Sequence, residues 1–373
     1  MRKFVLIIYG ILLFMPLVAQ EEKSNALAAA EIYIRSMETD DDYLVKLYDI
    51  LLNEKTEPAF TDELYRLVSP LANKDNGRAQ TCLGYLYFFG YGVKKDHQEA
   101  VTWFRKSAEQ GNADAQGYLG DMYYYAYGVD EDYAEAVKWF RKSAEQGNVV
   151  AQNNLGYMYC SGYGVDIDYD EAMKCFRKSA DQGDADSQSN LGAMYLNGHG
   201  VDVDYDEAIR WFRKSADQGN VDVQNNLGYM YLNGFGVKKD YAEAVECYRK
   251  SANQGNADAQ FNLGCMYLNG RKIKKDYAQA VEWFRKSADQ GNTDAQNNLG
   301  YVYLKGYGVN KDMNTAVEWY RKSAVQGNQT AMNTLERLDY PLNETVTKAT
   351  SSQSRQYRKS NKQTRPITSR QRR

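Results

Sequence analysis

The 373-residue sequence is poor in the residue types from which metal centres and acid–base sites are usually built. It contains 2 His, a number that weighs against histidine-rich metal sites and most histidine-dependent catalysis. Its 5 Cys show no spacing typical of a zinc site. The mean hydropathy of -0.68 excludes a membrane protein with several spanning segments. We therefore expect a protein without a metal or other cofactor.

The N-terminus has the features of an export signal. Arg2 and Lys3 precede Phe4–Leu17, an uncharged and mostly apolar run that is too short for an ordinary transmembrane helix. We predict that residues 1–20 are a signal peptide cleaved after Ala19 and that the protein is periplasmic or secreted. The alternative is an uncleaved anchor.

Charge is distributed unevenly along the chain. Residues 345–373 carry nine Lys or Arg and no Asp or Glu, whereas residues 21–344 carry 35 basic and 49 acidic residues, hence 35 − 49 = −14. We expect residues 341–373 to be a disordered basic tail. Beyond simple solvation, the tail could fold back on the acidic body, bind an anionic surface or bind nucleic acid. We favour the anionic surface, and export makes nucleic acid the least favoured partner.

The sequence repeats with a period of 36 residues and without insertions. A Leu-Gly pair marks each repeat, and all five Trp share one repeat position. The pairs are Leu83-Gly84, Leu119-Gly120, Leu155-Gly156, Leu191-Gly192, Leu227-Gly228, Leu263-Gly264 and Leu299-Gly300. Such phasing predicts a solenoid rather than several globular domains.

Each repeat is predicted to form two helices, as residues 112–147 illustrate. Asn112 caps a first helix over about Ala113–Tyr125, and Asp132 caps a second helix with Glu135 three residues later, as in a capping box. The Leu-Gly glycine lies inside the first helix, where it costs about 1 kcal/mol relative to Ala. We therefore expect that glycine to allow close packing of neighbouring helices.

The 36-residue register weakens at both ends of the chain. It predicts a divergent N-terminal helical cap over residues 21–76, seven full repeats over residues 77–328 and a partial C-terminal capping helix over residues 329–340. The fold class that follows is all-α, a solenoid of helix-turn-helix repeats.

The motif Ala-x-Ala-Gln-x-Asn-Leu-Gly-x-Met-Tyr-x-x-Gly-x-Gly-Val resembles the Sel-one-like repeat, a relative of the tetratricopeptide repeat. Departures are local: Ala126 replaces the first loop glycine of its repeat, and Arg271–Lys272 interrupts another loop. The resemblance implies an α/α right-handed superhelix whose concave face binds a ligand. It also implies a non-enzymatic adaptor that assembles protein complexes, including complexes in bacterial envelopes.

One position stands out as a candidate binding element, because five consecutive repeats carry Asn directly before Leu-Gly. These residues are Asn154, Asn190, Asn226, Asn262 and Asn298. In the tetratricopeptide relatives this position faces the groove, where an amide can donate to and accept from an extended peptide. Tyr157, Tyr229 and Tyr301 would add flat contact area. The alternative is that each Asn is a framework residue satisfied within its own repeat.

Chemically reactive residues have structural interpretations. His97 and His199 occupy positions that are aromatic in other repeats, and the Arg-Lys-Ser triplets are expected to be solvated near helix ends. Cys160 and Cys175 lie on the two helices of one repeat, where a disulfide is conceivable in an oxidising compartment, and the odd number of Cys leaves at least one free thiol.

Three functions remain open. The first is an exported, non-enzymatic scaffold that binds a protein or peptide. The second is an exported β-lactamase-like hydrolase or β-lactam binder, because some exported relatives have been linked to that chemistry. No Ser-x-x-Lys motif set like that of serine β-lactamases is evident, which weakens this alternative. The third is a secreted factor that acts on host proteins.

Overall fold

The computed structural model describes residues 58–270 and 273–340. The predicted signal peptide, most of the predicted N-terminal cap, the Arg271–Lys272 departure and the basic tail lie outside the described residues. The chain divides between Gln182 and Gly183 into two compact units.

The first unit consists of consecutive helices that pack in antiparallel pairs. Its helices are α1 Pro58–Ala72, α2 Gly77–Phe89, α3 His97–Glu109, α4 Ala113–Tyr125, α5 Tyr133–Glu145, α6 Val149–Ser161 and α7 Tyr169–Asp181. The first helix of the predicted example repeat therefore has the bounds expected from its sequence.

The second unit has the same organisation. Its helices are α8 Ala185–Asn197, α9 Tyr205–Asp217, α10 Val221–Asn233, α11 Tyr241–Asn253, α12 Ala257–Asn269, α13 Tyr277–Asp289, α14 Thr293–Lys305, α15 Met313–Val325 and α16 Gln329–Arg337. Within residues 58–270 and 273–340 there is no β-strand. The predicted all-α solenoid fold class is confirmed.

Side-chain caps fix where the helices begin. Asn112 Oδ1 accepts from the backbone N–H of Ala115 at 2.9 Å, and Asp132 Oδ1 accepts from that of Glu135 at 3.0 Å. In a complete capping box the Glu135 side chain would also accept from the Asp132 backbone N–H, but that N–H has a different partner. The Asp132 backbone N–H donates to the Tyr123 carbonyl at 3.1 Å, which ties the second helix to the end of the first.

The Leu-Gly glycine is where the two helices of a repeat approach most closely. A Cβ atom on Gly120 would lie 2.6 Å from the Phe140 ring of the second helix. The same contact recurs in all seven repeats, with Tyr248 or Tyr320 replacing Phe in two of them. This is the packing reason that the sequence predicted for a helical glycine.

Buried polar side chains link the helices. Ser143 Oγ donates to the Ala113 carbonyl at 2.6 Å and so closes the helix pair. Gln116 Nε2 donates to the Ala108 carbonyl of the preceding repeat at 3.0 Å, while its Oε1 accepts from Gln146 Nε2 at 2.8 Å. Because an unpaired buried amide is costly, these bonds specify how consecutive repeats join.

The Arg-Lys-Ser triplets make contacts that the sequence did not predict. Lys142 Nζ lies 4.4 Å from the centre of the Trp139 ring, close enough for a cation–π interaction. Arg141 donates to the Tyr159 hydroxyl of the next repeat at 3.0 Å. The expectation of a solvated triplet is therefore wrong for its Ser, since Ser143 is fully buried, and Arg141 supports repeat-to-repeat packing near the helix end.

The loop after each first helix begins with a residue in the left-handed region. Ala126 has a φ of 57°, whereas the corresponding residue is Gly in the other repeats, such as Gly306 with a φ of 73°. An L-residue in this conformation costs about 1–2 kcal/mol, so Ala126 is a local weakness of the first unit.

We predict that Ala126→Gly stabilises the protein by about 1 kcal/mol, because glycine adopts this conformation without steric penalty. Urea unfolding followed by circular dichroism measures the change. Gly306→Ala provides the reverse test and should destabilise the chain by a similar amount. Equal midpoints for wild type and Ala126→Gly would contradict the prediction.

Candidate functional site

Three positions of each first helix lie on one side of that helix, because they are spaced by three and four residues. They are the residue before Leu-Gly, the residue after it and the residue four further on, and we call them the first-helix stripe. In the first unit they are Cys82, Tyr85, Phe89, Tyr118, Asp121, Tyr125, Asn154, Tyr157 and Ser161. In the second unit they are Asn190, Ala193, Asn197, Asn226, Tyr229, Asn233, Asn262, Cys265, Asn269, Asn298, Tyr301, Lys305, Thr334 and Arg337.

The stripe presents the predicted tyrosines to solvent. Tyr157 is 44% exposed, Tyr229 is 51% exposed and Tyr301 is 37% exposed, although all three are large aromatic residues. The glycine before each of them packs against the second helix, so the tyrosine is left on the accessible side. These side chains are available for contact with a partner.

The predicted asparagines have more than one kind of environment. Asn154 Nδ2 donates to Asp121 Oδ1 at 3.2 Å, and Asn262 Nδ2 donates to Asn225 Oδ1 at 3.1 Å. Both acceptors belong to the preceding repeat, so these two amides contribute to repeat packing. Asn226 is exposed, and Asn190 is half-buried. Peptide binding by the five amides stays a prediction.

Asp121 is a stripe residue that was not among the binding candidates predicted from the sequence. Its neighbours in the stripe are aromatic: the Tyr85 and Tyr118 rings lie 6.0 Å apart, and Tyr125 follows Asp121 one turn later. Burial raises the pKa of the Asp121 carboxyl to about 7. Across the described ranges, no Lys or Arg forms an ion pair with it. An alignment of the repeats makes it visible, since the corresponding position carries Tyr, Ala or Cys in the other six full repeats.

The thiols are shielded and unbridged. Cys160 and Cys175 are both free, so the disulfide considered from the sequence is not formed in this structure. Burial raises the pKa of Cys160 to about 12 and that of Cys175 to about 11. Thiols that stay protonated at neutral pH are weak nucleophiles.

Other reactive groups are also engaged in packing. The His97 ring stacks on Phe88 with a centroid distance of 4.9 Å, in agreement with its aromatic repeat position. In the part of the chain that the structure describes, no three His, Cys, Asp or Glu side chains group closely enough to hold a metal ion. None of the helices described has the length and apolarity needed to cross a membrane.

The sequence pattern that defines the Sel1 repeat matches seven consecutive segments. They are residues 77–112, 113–148, 149–184, 185–220, 221–256, 257–292 and 293–328. The chain belongs to the Sel1 repeat family. Its members have a helical scaffold fold that typically mediates protein interactions, and they are generally non-catalytic. The resemblance inferred from the repeat motif is confirmed.

Two solved structures of Sel1 repeat proteins are similar to this chain. One is c5321, a protective antigen of uropathogenic Escherichia coli, with 40% sequence identity and a TM-score of 0.71. That match covers 78% of this chain and 64% of the antigen, so the chain spans less than two thirds of that protein. The other is from Oxalobacter formigenes, with 34% identity, a TM-score of 0.62 and coverage of 83% and 89%. No curated protein matches the sequence significantly.

We predict that the Asp121 carboxylate lowers stability as the pH rises. Its folded-state pKa is raised from 3.8 to about 7, so the stabilising effect of its proton is complete below pH 4 and is lost as the pH rises through 7. Asp121→Asn lacks this loss. Its free energy of unfolding, compared with that of wild type, should therefore be about 1–3 kcal/mol more favourable at pH 8 than at pH 5.

Urea unfolding at the two pH values measures this difference. Asp130→Asn, which removes one carboxylate from an exposed loop position, is the control for a change in net charge. The prediction is wrong if Asp121→Asn and wild type differ by the same free energy at pH 5 and pH 8.

Proposed function

We propose that this protein is an exported, non-enzymatic scaffold that binds an extended segment of a partner protein along the first-helix stripe. The observation that carries the proposal is the exposed, uncharged surface formed by Asn226 and Tyr229, which recurs with variations every 36 residues. The Sel1 repeat family supports the general role in protein interaction.

The chemistry of the stripe suits a peptide backbone. An amide both donates and accepts, so it can pair with a peptide unit whatever the partner's side chain is. Tyrosine supplies a large rigid surface with few rotatable bonds, and it loses little entropy on binding. Asn226 and Tyr229 lie one turn apart on α10, so one peptide residue could contact both.

Export is supported by the composition of residues 1–20, with a basic start and a short apolar run. An exported scaffold therefore accounts for both the repeat fold and this N-terminal sequence. Neither the hydrolase alternative nor the host-directed alternative has a specific structural observation in its favour. The buried thiols and the stacked His97 offer no activated nucleophile–base pair.

We predict that Asn226→Ala combined with Tyr229→Ala weakens peptide binding about 5- to 150-fold. Each lost contact is worth about 0.5–1.5 kcal/mol, and the exposed side chains should not be needed for folding. The measurement is retention of a randomised decapeptide pool by the immobilised protein, read by mass spectrometry.

Tyr340→Ala is the matched control, because Tyr340 is exposed and lies outside the stripe. It should bind the pool as wild type does. Loss of the helical circular dichroism signal in the double variant would make the two residues framework residues. A wild-type protein that retains no peptide would contradict the proposed function.

A further inference from the structure

A polar cavity of about 620 Å³ lies at the end of the stripe in the second unit. Its walls come from α12, α14, α15 and α16. The residues that decide its chemistry are Cys265, Asn298, Tyr301, Lys305, Tyr320 and Arg337. No Asp or Glu is among the described side chains that line it, although the body of the chain has an acidic excess.

Two positively charged side chains occupy stripe positions at this cavity. The described stripe positions of the earlier repeats in this unit carry none. Lys305 occupies the position held by Asn269 one repeat before. Arg337 occupies the position held by Tyr301. Both substitutions replace a neutral side chain with a positive one, and both side chains line the same cavity.

Three donors of the cavity, Lys305, Arg337 and Asn298, have no carboxylate or carbonyl partner among the bonds and ion pairs of the described residues. Neither Lys305 nor Arg337 is in an ion pair within the described ranges. Asn298 Nδ2 has the Cys265 Sγ as its acceptor at 3.6 Å, and sulfur accepts hydrogen bonds weakly. A better acceptor could therefore displace this contact with little loss.

The buried residue Tyr320 lines the same cavity as Arg337. Burial raises the pKa of Tyr320 to about 12, and the nearby positive charge of Arg337 works in the opposite direction. Both side chains carry hydrogen-bond donors, N–H groups on Arg337 and an O–H group on Tyr320.

We propose that this cavity binds a carboxylate of the partner peptide, held by Arg337 and Lys305 with Asn298 as a further donor. A carboxylate only accepts hydrogen bonds and carries the opposite charge, so it matches a set of donors and cations that contains no acid. The inference rests on the proposed peptide-binding function. The carboxylate comes from the peptide C-terminus or from an Asp or Glu side chain.

The test uses the full chain and four randomised decapeptide pools. The first two pools differ only in a free or an amidated C-terminus. The other two have blocked termini and carry Glu or Gln at a fixed central position. We expect wild type to retain a carboxylate pool about tenfold more tightly than its neutral counterpart at low salt. The preferred pair identifies the source of the carboxylate.

The variants locate the effect. Arg337→Gln should reduce the preference to less than about twofold, and Arg337→Lys should keep part of it, because the charge remains without the bidentate geometry. Lys305→Asn should also weaken the preference for the carboxylate pool. Asn occupies this position in the preceding repeats of the unit, so we expect this variant to fold. Lys311→Asn makes the same charge change at an exposed position outside the cavity and should have no effect.

The outcomes separate this inference from the proposed function. Equal retention of charged and neutral pools by wild type would overturn the carboxylate site and leave peptide binding intact. An unchanged preference in both Arg337→Gln and Lys305→Asn would overturn the site as well. Failure of wild type to retain any pool would overturn both proposals.

Discussion

The contact between a helical glycine and an aromatic ring governs the arrangement of each repeat. Because Gly120 has no side chain, the Phe140 ring rests directly on the backbone of the first helix, and even a methyl group there would overlap it. This contact fixes which side of the first helix is buried. In the full repeats of the second unit the residues on either side of Leu-Gly are thereby left at least partly exposed, so the binding chemistry we propose depends on a packing requirement.

Uniform junctions make the stripe regular. Within each unit, a buried Gln reaches back to the preceding repeat and is itself held by a second Gln, as Gln116 and Gln146 illustrate in the first unit and Gln224 and Gln254 in the second. Hydrogen bonds are directional, so they specify the placement of adjacent repeats more narrowly than apolar burial does. The side chains of the stripe can then change from repeat to repeat without altering the framework, which explains how Asp121 and Arg337 occupy corresponding positions.

Features set by local sequence could be predicted, whereas contacts between distant residues could not. The bounds Ala113–Tyr125 followed from Asn112 and the spacing of apolar residues, because caps and helical periodicity act over a few positions. The partner of Arg141 is 18 residues away and that of Asn154 is 33 residues away, so both depend on how the helices pack. Lys305 and Arg337 were visible in the sequence, but their proximity required the structure.

The junctions also bear on how such a chain can evolve. Within each unit, successive repeats are joined by the same kind of buried bond, and the 36-residue period has no insertions. Duplication or loss of one repeat within a unit would therefore leave the remaining junctions of that unit chemically unchanged. The length of the stripe can change in whole repeats, while residues of the partial repeat after Gly327, such as Arg337, keep their place after the full repeats. Unequal recombination between near-identical copies would thus be a ready source of variants that recognise longer or shorter partners.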